Sequence, residues 1–379
     1  VSSFKENEVA AVGRHNGRTS ILWGIGSNGD RVMVPSRRLF LKRSLIVASP
    51  LSRLYCWPSL TTTVAESSLA RDWLGPTPFE PAYLKAERDG TLKTVEEELW
   101  QLFKSCQCCP RSCRANRLKG ETGFCRSTAR LKVHSYGPHF GEEKPLVGKG
   151  GSGTIFFSHC NLQCCFCQNW QINHRGDGDF ISHENLAEMM LHLQRRGCHN
   201  INLVTPTHVA PHIVKALRIA IARGLKVPLV YNTGGYDSLH VVRKLDGIVD
   251  IYLPDFKYQD NKMAARYSSN ASDYPEVAAE VIKEMHRQVG LLKCDEKGIA
   301  QRGLIIRHLV MPNNVAGTDR FVRWVARELP ANTYVNLMAQ YHPEYKAREH
   351  SEIARRITTQ EWRQALAWAE EAGLTNLAR

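Results

Sequence analysis

From Thr154 onward, short runs of β-branched and apolar residues alternate with longer stretches whose apolar positions recur every three or four residues. The short runs predict strands over 154–158, 201–205, 228–232, 248–253, 304–310 and 334–339. The longer stretches predict helices with recognisable ends. Ser182 is placed to cap a helix stopped at Gly197, Pro211 to open one stopped at Gly224, and Asp273 to cap one running to Gly290. Strands joined by helical crossovers lie parallel, with right-handed connections. Six such units predict an α/β fold, and its chemistry belongs at the carboxyl ends of the strands, where the loops converge.

At 379 residues the chain is long for one domain and suits a β/α barrel with an appendage. No run approaches the ~20 apolar residues of a membrane span. The net charge of +13 invites a nucleic-acid reading. Residues 1–60 hold nine bases against three acids, an excess of six. The remaining seven read as spread along the chain, with neither a basic helix run nor a basic-aromatic pattern, so nucleic acid is not an expected partner.

Within the basic amino-terminal region, Ser36-Arg37-Arg38-Leu39-Phe40-Leu41-Lys42 resembles a twin-arginine export signal, with 45–55 as its short apolar region. Met33, the first methionine, would set those arginines close behind a start. Residues 1–32 then read as an upstream extension or disordered tail, 33–60 as the signal and 61–95, with Pro76, Pro78 and Pro81, as a linker. A disordered basic tail is the plain alternative for the whole region.

The twelve cysteines cluster as metal ligands do, unlike the spread of a small secreted disulfide scaffold. Cys56, Cys198 and Cys294 stand apart and suit burial as small apolar residues. Residues 96–150 read as a metal-binding segment. There Cys106, Cys109, Cys113 and Cys125 supply four thiolates with Cys108 to spare, enough to close a zinc site or a second 4Fe-4S cluster, and spacing does not separate the two. Gly120 and Gly123 sit where the chain must fold back to bring in Cys125. A disulfide pair is the bland alternative. Cys160, Cys164 and Cys167 supply only three thiolates, with Phe166 between the last two. Zinc would want a fourth compact ligand, whereas a cubic cluster held by three cysteines keeps one iron open. Cys165 allows the register of ligands to slip by one.

This C-x3-C-x-aromatic-C pattern resembles that of the radical S-adenosylmethionine (SAM) enzymes, whose open iron chelates the amino and carboxylate groups of SAM. The segment CPRSCRANRLKGETGFCR is similar to the amino-terminal region of the branch related to pyruvate formate-lyase activating enzyme. The resemblance implies a partial (β/α)6 barrel over 151–345 with an amino-terminal cysteine-rich appendage, followed by a helical segment over 346–379. It implies a 4Fe-4S cluster on Cys160, Cys164 and Cys167, SAM as cofactor, and Phe166 packing by the adenine.

The strand ends carry the remaining candidates. Thr205, Thr207 and His208 stand where the family often has a glycine-glycine-glutamate motif that meets the SAM amino group, and the sequence departs from that motif. Asn232 replaces the acid of a D-T-N-G-type motif. Asp255 and Lys257 are similar to a D-L-K motif whose lysine meets the SAM carboxylate. Arg307 and His308 match a segment near the ribose and adenine. Each taken singly also fits turn chemistry or a hydrogen-bonded core position.

The resemblance further implies reductive cleavage of SAM to a 5'-deoxyadenosyl radical for hydrogen abstraction, an electron donor such as a flavodoxin or ferredoxin, and a glycyl-radical enzyme or other protein as substrate. A SAM-consuming enzyme belongs in the cytoplasm, where SAM is made, although the twin arginines keep export open. The rival class is a non-catalytic iron-sulfur electron-transfer protein, which would not bind SAM.

Overall fold

The computed structural model describes residues 79–378 and, ahead of them, two strands, β1 (Trp23–Ile25) and β2 (Arg31–Met33). The chain divides into two units at Trp73. In the first, β1 and β2 pair antiparallel, Gly24 opposite Val32, so a hairpin occupies part of the expected tail. The twin-arginine segment after Met33 lies outside the described residues.

The second unit opens with α1 (Ala82–Arg88) and α2 (Thr91–Gln101), so the last part of the expected linker, from Ala82 on, is largely helical, while 61–78 lie outside the described residues. Tyr83, Leu92, Val95 and Leu99 are buried. Arg218 donates to Glu87 and Glu96, and the backbone N–H of Ala82 donates to Asp250 at 2.8 Å. Pro81 starts α1 as helix-compatible punctuation, which is why prolines alone misled the linker reading.

The sheet comprises β3 (Lys132–His139), β4 (Ser152–Phe157), β5 (Asp179–Phe180), β6 (Ile201–Val204), β7 (Leu229–Thr233), β8 (Ile251–Pro254), β9 (Lys293–Cys294), β10 (Ala300–Leu309) and β11 (Tyr334–Met338). Its order is β11-β10-β8-β7-β6-β4-β3-β5, with β9 on β10. The six predicted strands are β4, β6, β7, β8, β10 and β11. They pair parallel in chain order and do not close. The antiparallel β3, unforeseen, extends the β4 edge.

Between the strands run α4 (His183–Arg195), α5 (Ala210–Ala222), α6 (Leu239–Lys244), α7 (Asn261–Tyr267), α8 (Tyr274–Val289) and α9 (Thr318–Glu328). Ser182 caps α4, its Oγ accepting from the Asn185 N–H at 3.1 Å. Pro211 stands in the first turn of α5. Asp273 occupies the position before α8 without capping it, because its carboxylate accepts from the Tyr236 hydroxyl at 2.5 Å instead. The carboxyl-terminal segment carries α10 (Thr359–Glu371), closed by a capping box between Thr358 and Glu361.

The hollow of the curved sheet is filled from the β3–β4 connection by α3 (Lys144–Val147). Its Leu146, wholly buried, packs on Val230, Ile251, Leu253, Ala300 and Ile305. Alternate residues of a strand face opposite sides. Val230, Ile251 and Ile305 therefore face α3, while Tyr231, Tyr252, Leu304 and Ile306 join the larger core.

Candidate active site

Above Leu146 the same inward-facing registers turn polar and line a cavity of about 260 Å3. Cys160, Cys164, Phe166 and Cys167 form one wall; Thr205, Asn232, Asp255, Lys257 and Arg307 form the opposite one. Leu309, Met338 and Gln340 are also among the lining residues.

The cysteine loop follows β4 and is pinned on both sides. The Cys165 N–H donates to the Tyr267 carbonyl at 2.8 Å, and the Cys165 carbonyl accepts from the Lys346 N–H at 2.9 Å. The Asn161 amide donates to the Tyr236 carbonyl at 2.6 Å. So held, Cys164 faces the cavity and Cys165 does not line it. Hydrogen bonds reach each inward sulfur: from the Leu162 N–H to Cys160 at 3.4 Å, from Ser268 Oγ to Cys164 at 3.0 Å and from Asn173 Nδ2 to Cys167 at 3.2 Å. Burial pushes the Cys160 thiol up to about 11 and that of Cys167 to about 12, with the neighbouring Cys164 adding to both. Three soft donors on one wall, each hydrogen-bonded at sulfur, fit an iron-sulfur cluster.

The facing wall is an ionic network. Asp255 accepts from Lys257 Nζ at 2.6 Å on one oxygen and from Arg307 Nε at 2.7 Å on the other. Arg307 also donates to Asn232 Oδ1 at 2.5 Å and approaches Glu142, from the loop before α3, at 3.5 Å. Burial opposes charge at Asp255, yet Arg307 and then Lys257 hold its carboxyl below the usual range. Burial likewise opposes charge at Lys257, and Asp255 followed by Cys164 holds its ammonium above its ordinary value. The Lys257 ammonium has three donors, and Asp255 takes one. Gly235 permits this approach: at φ +79° it lies so near the Asp255 carbonyl that a Cβ there would come within 2.2 Å.

Thr205 lines the cavity with φ at 61°, a strained value for a β-branched residue, and its N–H donates to the Asn232 carbonyl at 2.9 Å. Three candidates do not line the cavity. Thr207 donates to the buried Asp237, at 2.7 Å, alongside Thr233 and Tyr231. His208 is buried with Nε2 at 2.8 Å from the Ser158 carbonyl, and burial, then Arg117, pushes its pKa down to about 3. His308 stacks on Phe321 with ring centroids 4.2 Å apart and bonds the Phe256 carbonyl and Thr318. As the next residue after inward-facing Arg307, it must face the helices. These three hold the scaffold and do not line the cavity in which SAM contact was expected of them. Phe166 lines the cavity while meeting Tyr258 and Tyr341 edge to face.

The amino-terminal cysteines form a neighbouring group. The Cys106 and Cys108 thiols are neighbours, Cys109 lies beside Cys125, and Cys113 packs against the cluster of Phe103, Cys106 and Cys108. Cys113 Sγ would stand 2.0 Å from a Cβ on Gly123, so the thiol would have to move to admit a larger residue there. All eleven cysteines of the described residues are free thiols. Among the described residues no three Cys, His, Asp or Glu side chains are gathered so as to hold a single metal ion, and this includes Cys160, Cys164 and Cys167. Beneath the segment, Arg117 is wholly buried over the Phe103 ring and donates to the carbonyls of Thr128 and His208.

Residues 154–289 match the radical SAM superfamily family signature. The chain belongs to the radical SAM superfamily. It is 36% identical over 286 residues to the uncharacterized protein MJ0674 of Methanocaldococcus jannaschii, covering 72% of this chain and 76% of that one. Among solved structures, methylornithine synthase aligns with a TM-score of 0.38 and 13% identity, over 58% of this chain and 68% of its own. TYW1 with a lysine-pyruvate adduct bound aligns with a TM-score of 0.36 and 10% identity, over 57% and 73%. The α/β fold with its unclosed, mostly parallel sheet agrees with a partial radical SAM barrel. Superfamily membership implies a 4Fe-4S cluster and SAM. No helix among the described residues is long and apolar enough to cross a membrane.

Ser268, Asn173, Asn161 and Arg111 escaped the sequence reading. Arg111 donates to the Asn161 and Ser268 carbonyls, at 3.1 and 3.0 Å. Arg111 and Asn161 stand between motif cysteines and Ser268 and Asn173 belong to no motif, and only the folded chain shows the hydrogen bonds they make.

Proposed function

We propose that the chain is a SAM-cleaving enzyme whose cavity holds SAM between two walls: a 4Fe-4S cluster on Cys160, Cys164 and Cys167, and the network of Asn232, Asp255, Lys257 and Arg307. The observation that carries this reading is the placement of those three cysteines and those four polar side chains around one cavity, although they come from four separate loops and strands. Cys160, Cys164 and Cys167 would hold the cluster, which when bound would supply the electron for reductive cleavage of SAM to methionine and a 5'-deoxyadenosyl radical.

The chain's residues position and shield. Lys257 offers its free N–H donors to the SAM carboxylate. Asp255 aligns both cations and keeps them charged. Thr205 and Asn232 supply polar groups for the amino end of SAM, and Phe166 gives the adenine an apolar face. The unclosed sheet admits a bulky substrate from the side, which favours a polypeptide, a glycyl-radical enzyme among them; this part rests on the resemblance to the activating enzymes. The amino-terminal thiols of Cys106, Cys109, Cys113 and Cys125 provide a second metal site.

The test is anaerobic purification, reconstitution with iron and sulfide, and addition of a strong reductant and SAM, beside a Cys160→Ala control. Formation of 5'-deoxyadenosine that depends on Cys160 supports the reading. A loaded, reducible cluster that never cleaves SAM replaces it with an electron-transfer protein.

A further inference from the structure

The positive charge outside residues 1–60 gathers around the amino-terminal cysteines. Residues 104–132 hold eight bases and one acid, and this excess of seven is the whole remainder of the net charge. Removing both regions from the chain's 50 bases and 37 acids leaves 33 of each. The expectation of a scattered excess is thereby corrected. Lys104, Arg114, Lys119, Arg126 and Arg130 are exposed, and the single acid, Glu121, is engaged by the Asn116 N–H at 2.7 Å. Cys106, Cys108, Cys109 and Cys125 are buried beneath this face.

On its inner side the segment meets the cysteine loop. The Asn161 side chain touches the Cys109 thiol, and its Oδ1 lies 4.0 Å from Cys160 Sγ. Arg111 ties the segment to Ser268, whose hydroxyl bonds Cys164. The buried Arg117 has no carboxylate partner among the described residues; Cys106 Sγ stands 4.0 Å from its Nη1. A buried cation of this kind needs a counter-charge, and a thiolate-bound cluster, being anionic, provides one.

We propose that Cys106, Cys109, Cys113 and Cys125 hold a second iron-sulfur cluster, and that the cationic face above it docks an acidic, low-potential one-electron carrier protein, making the segment the electron port of the Cys160 cluster. The proposal rests on the SAM-cleaving reading for its purpose. Zinc would draw its four sulfurs to within ~3.8 Å of one another. A cubane takes cysteines set further apart. Four protein ligands leave no open iron, so this centre passes electrons and binds no substrate. One electron leaves the carrier, which is oxidised by one unit, passes to the amino-terminal cluster and then to the Cys160 cluster; no bond or proton changes at the port. Opposite charge steers such a carrier to the face. Residues 104–132 expose no aromatic ring on which a nucleic-acid base would stack.

Two measurements test this on the full chain. The first is the metal content of the Cys160→Ala/Cys164→Ala/Cys167→Ala protein after anaerobic reconstitution. About four irons per chain and an electron paramagnetic resonance signal on reduction are expected; zinc, or no metal, overturns the proposal. The second compares reduction of Lys104→Glu/Arg114→Glu/Lys119→Glu with the parent protein at low ionic strength. With reduced flavodoxin as donor, the charge reversal slows cluster reduction about tenfold or more, while reduction by dithionite is unchanged. An unaltered flavodoxin rate overturns the port, as does a reversal that abolishes binding of a labelled RNA and spares the flavodoxin rate. Formation of 5'-deoxyadenosine with dithionite reads the Cys160 site separately. Its absence would remove the SAM-cleaving reading and leave the iron count and the donor rates to judge the port.

Discussion

Arg307 and Asp255 meet at 2.7 Å across the gap between β10 and the end of β8, and the pair is inaccessible enough that neither charge is hydrated freely. Asp255 is thereby committed on both oxygens, so Lys257 keeps donors for a ligand rather than for the protein. Substitution of Lys257 by Gln removes a charge-assisted contact worth about 1.5–3 kcal/mol. Isothermal titration of the cluster-loaded protein is expected to show SAM binding weakened roughly 10- to 100-fold, with the iron content unchanged. Asp255→Ala is different: it strands two buried cations and is expected to cost about 3–5 kcal/mol in urea unfolding.

Cys164 and Cys165 are adjacent and opposed. Cys164→Ala is expected to lose the cluster, and Cys165→Ala to retain it, as read by iron content and visible absorbance after reconstitution. The reverse result would move the ligand to Cys165 and contradict the observed lining of the cavity.

The Ser268 hydroxyl donates to Cys164 at 3.0 Å. Hydrogen bonds to ligand sulfur favour the reduced, more negative cluster. Ser268→Ala is expected to lower the reduction potential by an amount on the order of tens of millivolts in a redox titration, and Ser268→Thr to restore it.

Burial pushes the His308 pKa down to about 4. In the unfolded chain the same imidazole takes up a proton below about 6.5, so the unfolded state binds more protons between those values. Stability from this group is complete above that upper value and declines as pH falls towards 4, by at most about 3 kcal/mol. The His308→Gln protein is expected to show a correspondingly shallower loss of stability over this window in urea titrations at stepped pH. Equal slopes would mean that the folded protein leaves the His308 imidazole as easily protonated as the unfolded chain does.

The sequence made the six parallel strands legible because apolar runs and helix punctuation agree at every crossover. Asn232, Asp255, Lys257 and Arg307 were legible because each follows or ends a strand. Position along the chain could not separate Arg307 from His308, since a strand sends neighbours to opposite faces and register decides which faces inward. It missed β3, whose one-sided exposure leaves no apolar run, and α1 and α2, whose burial depends on α5 and Asp250. Ser268 and Asn173 carried no local signal because their role is set by contacts across loops.

Leu146 stoppers the hollow of the sheet at the end away from the cysteines. That end of the hollow is therefore closed to a ligand, which must approach from the cysteine side. On the proposed function, SAM held beside Lys257 would lie nearer this closed end than any bulkier substrate, and would have to enter first.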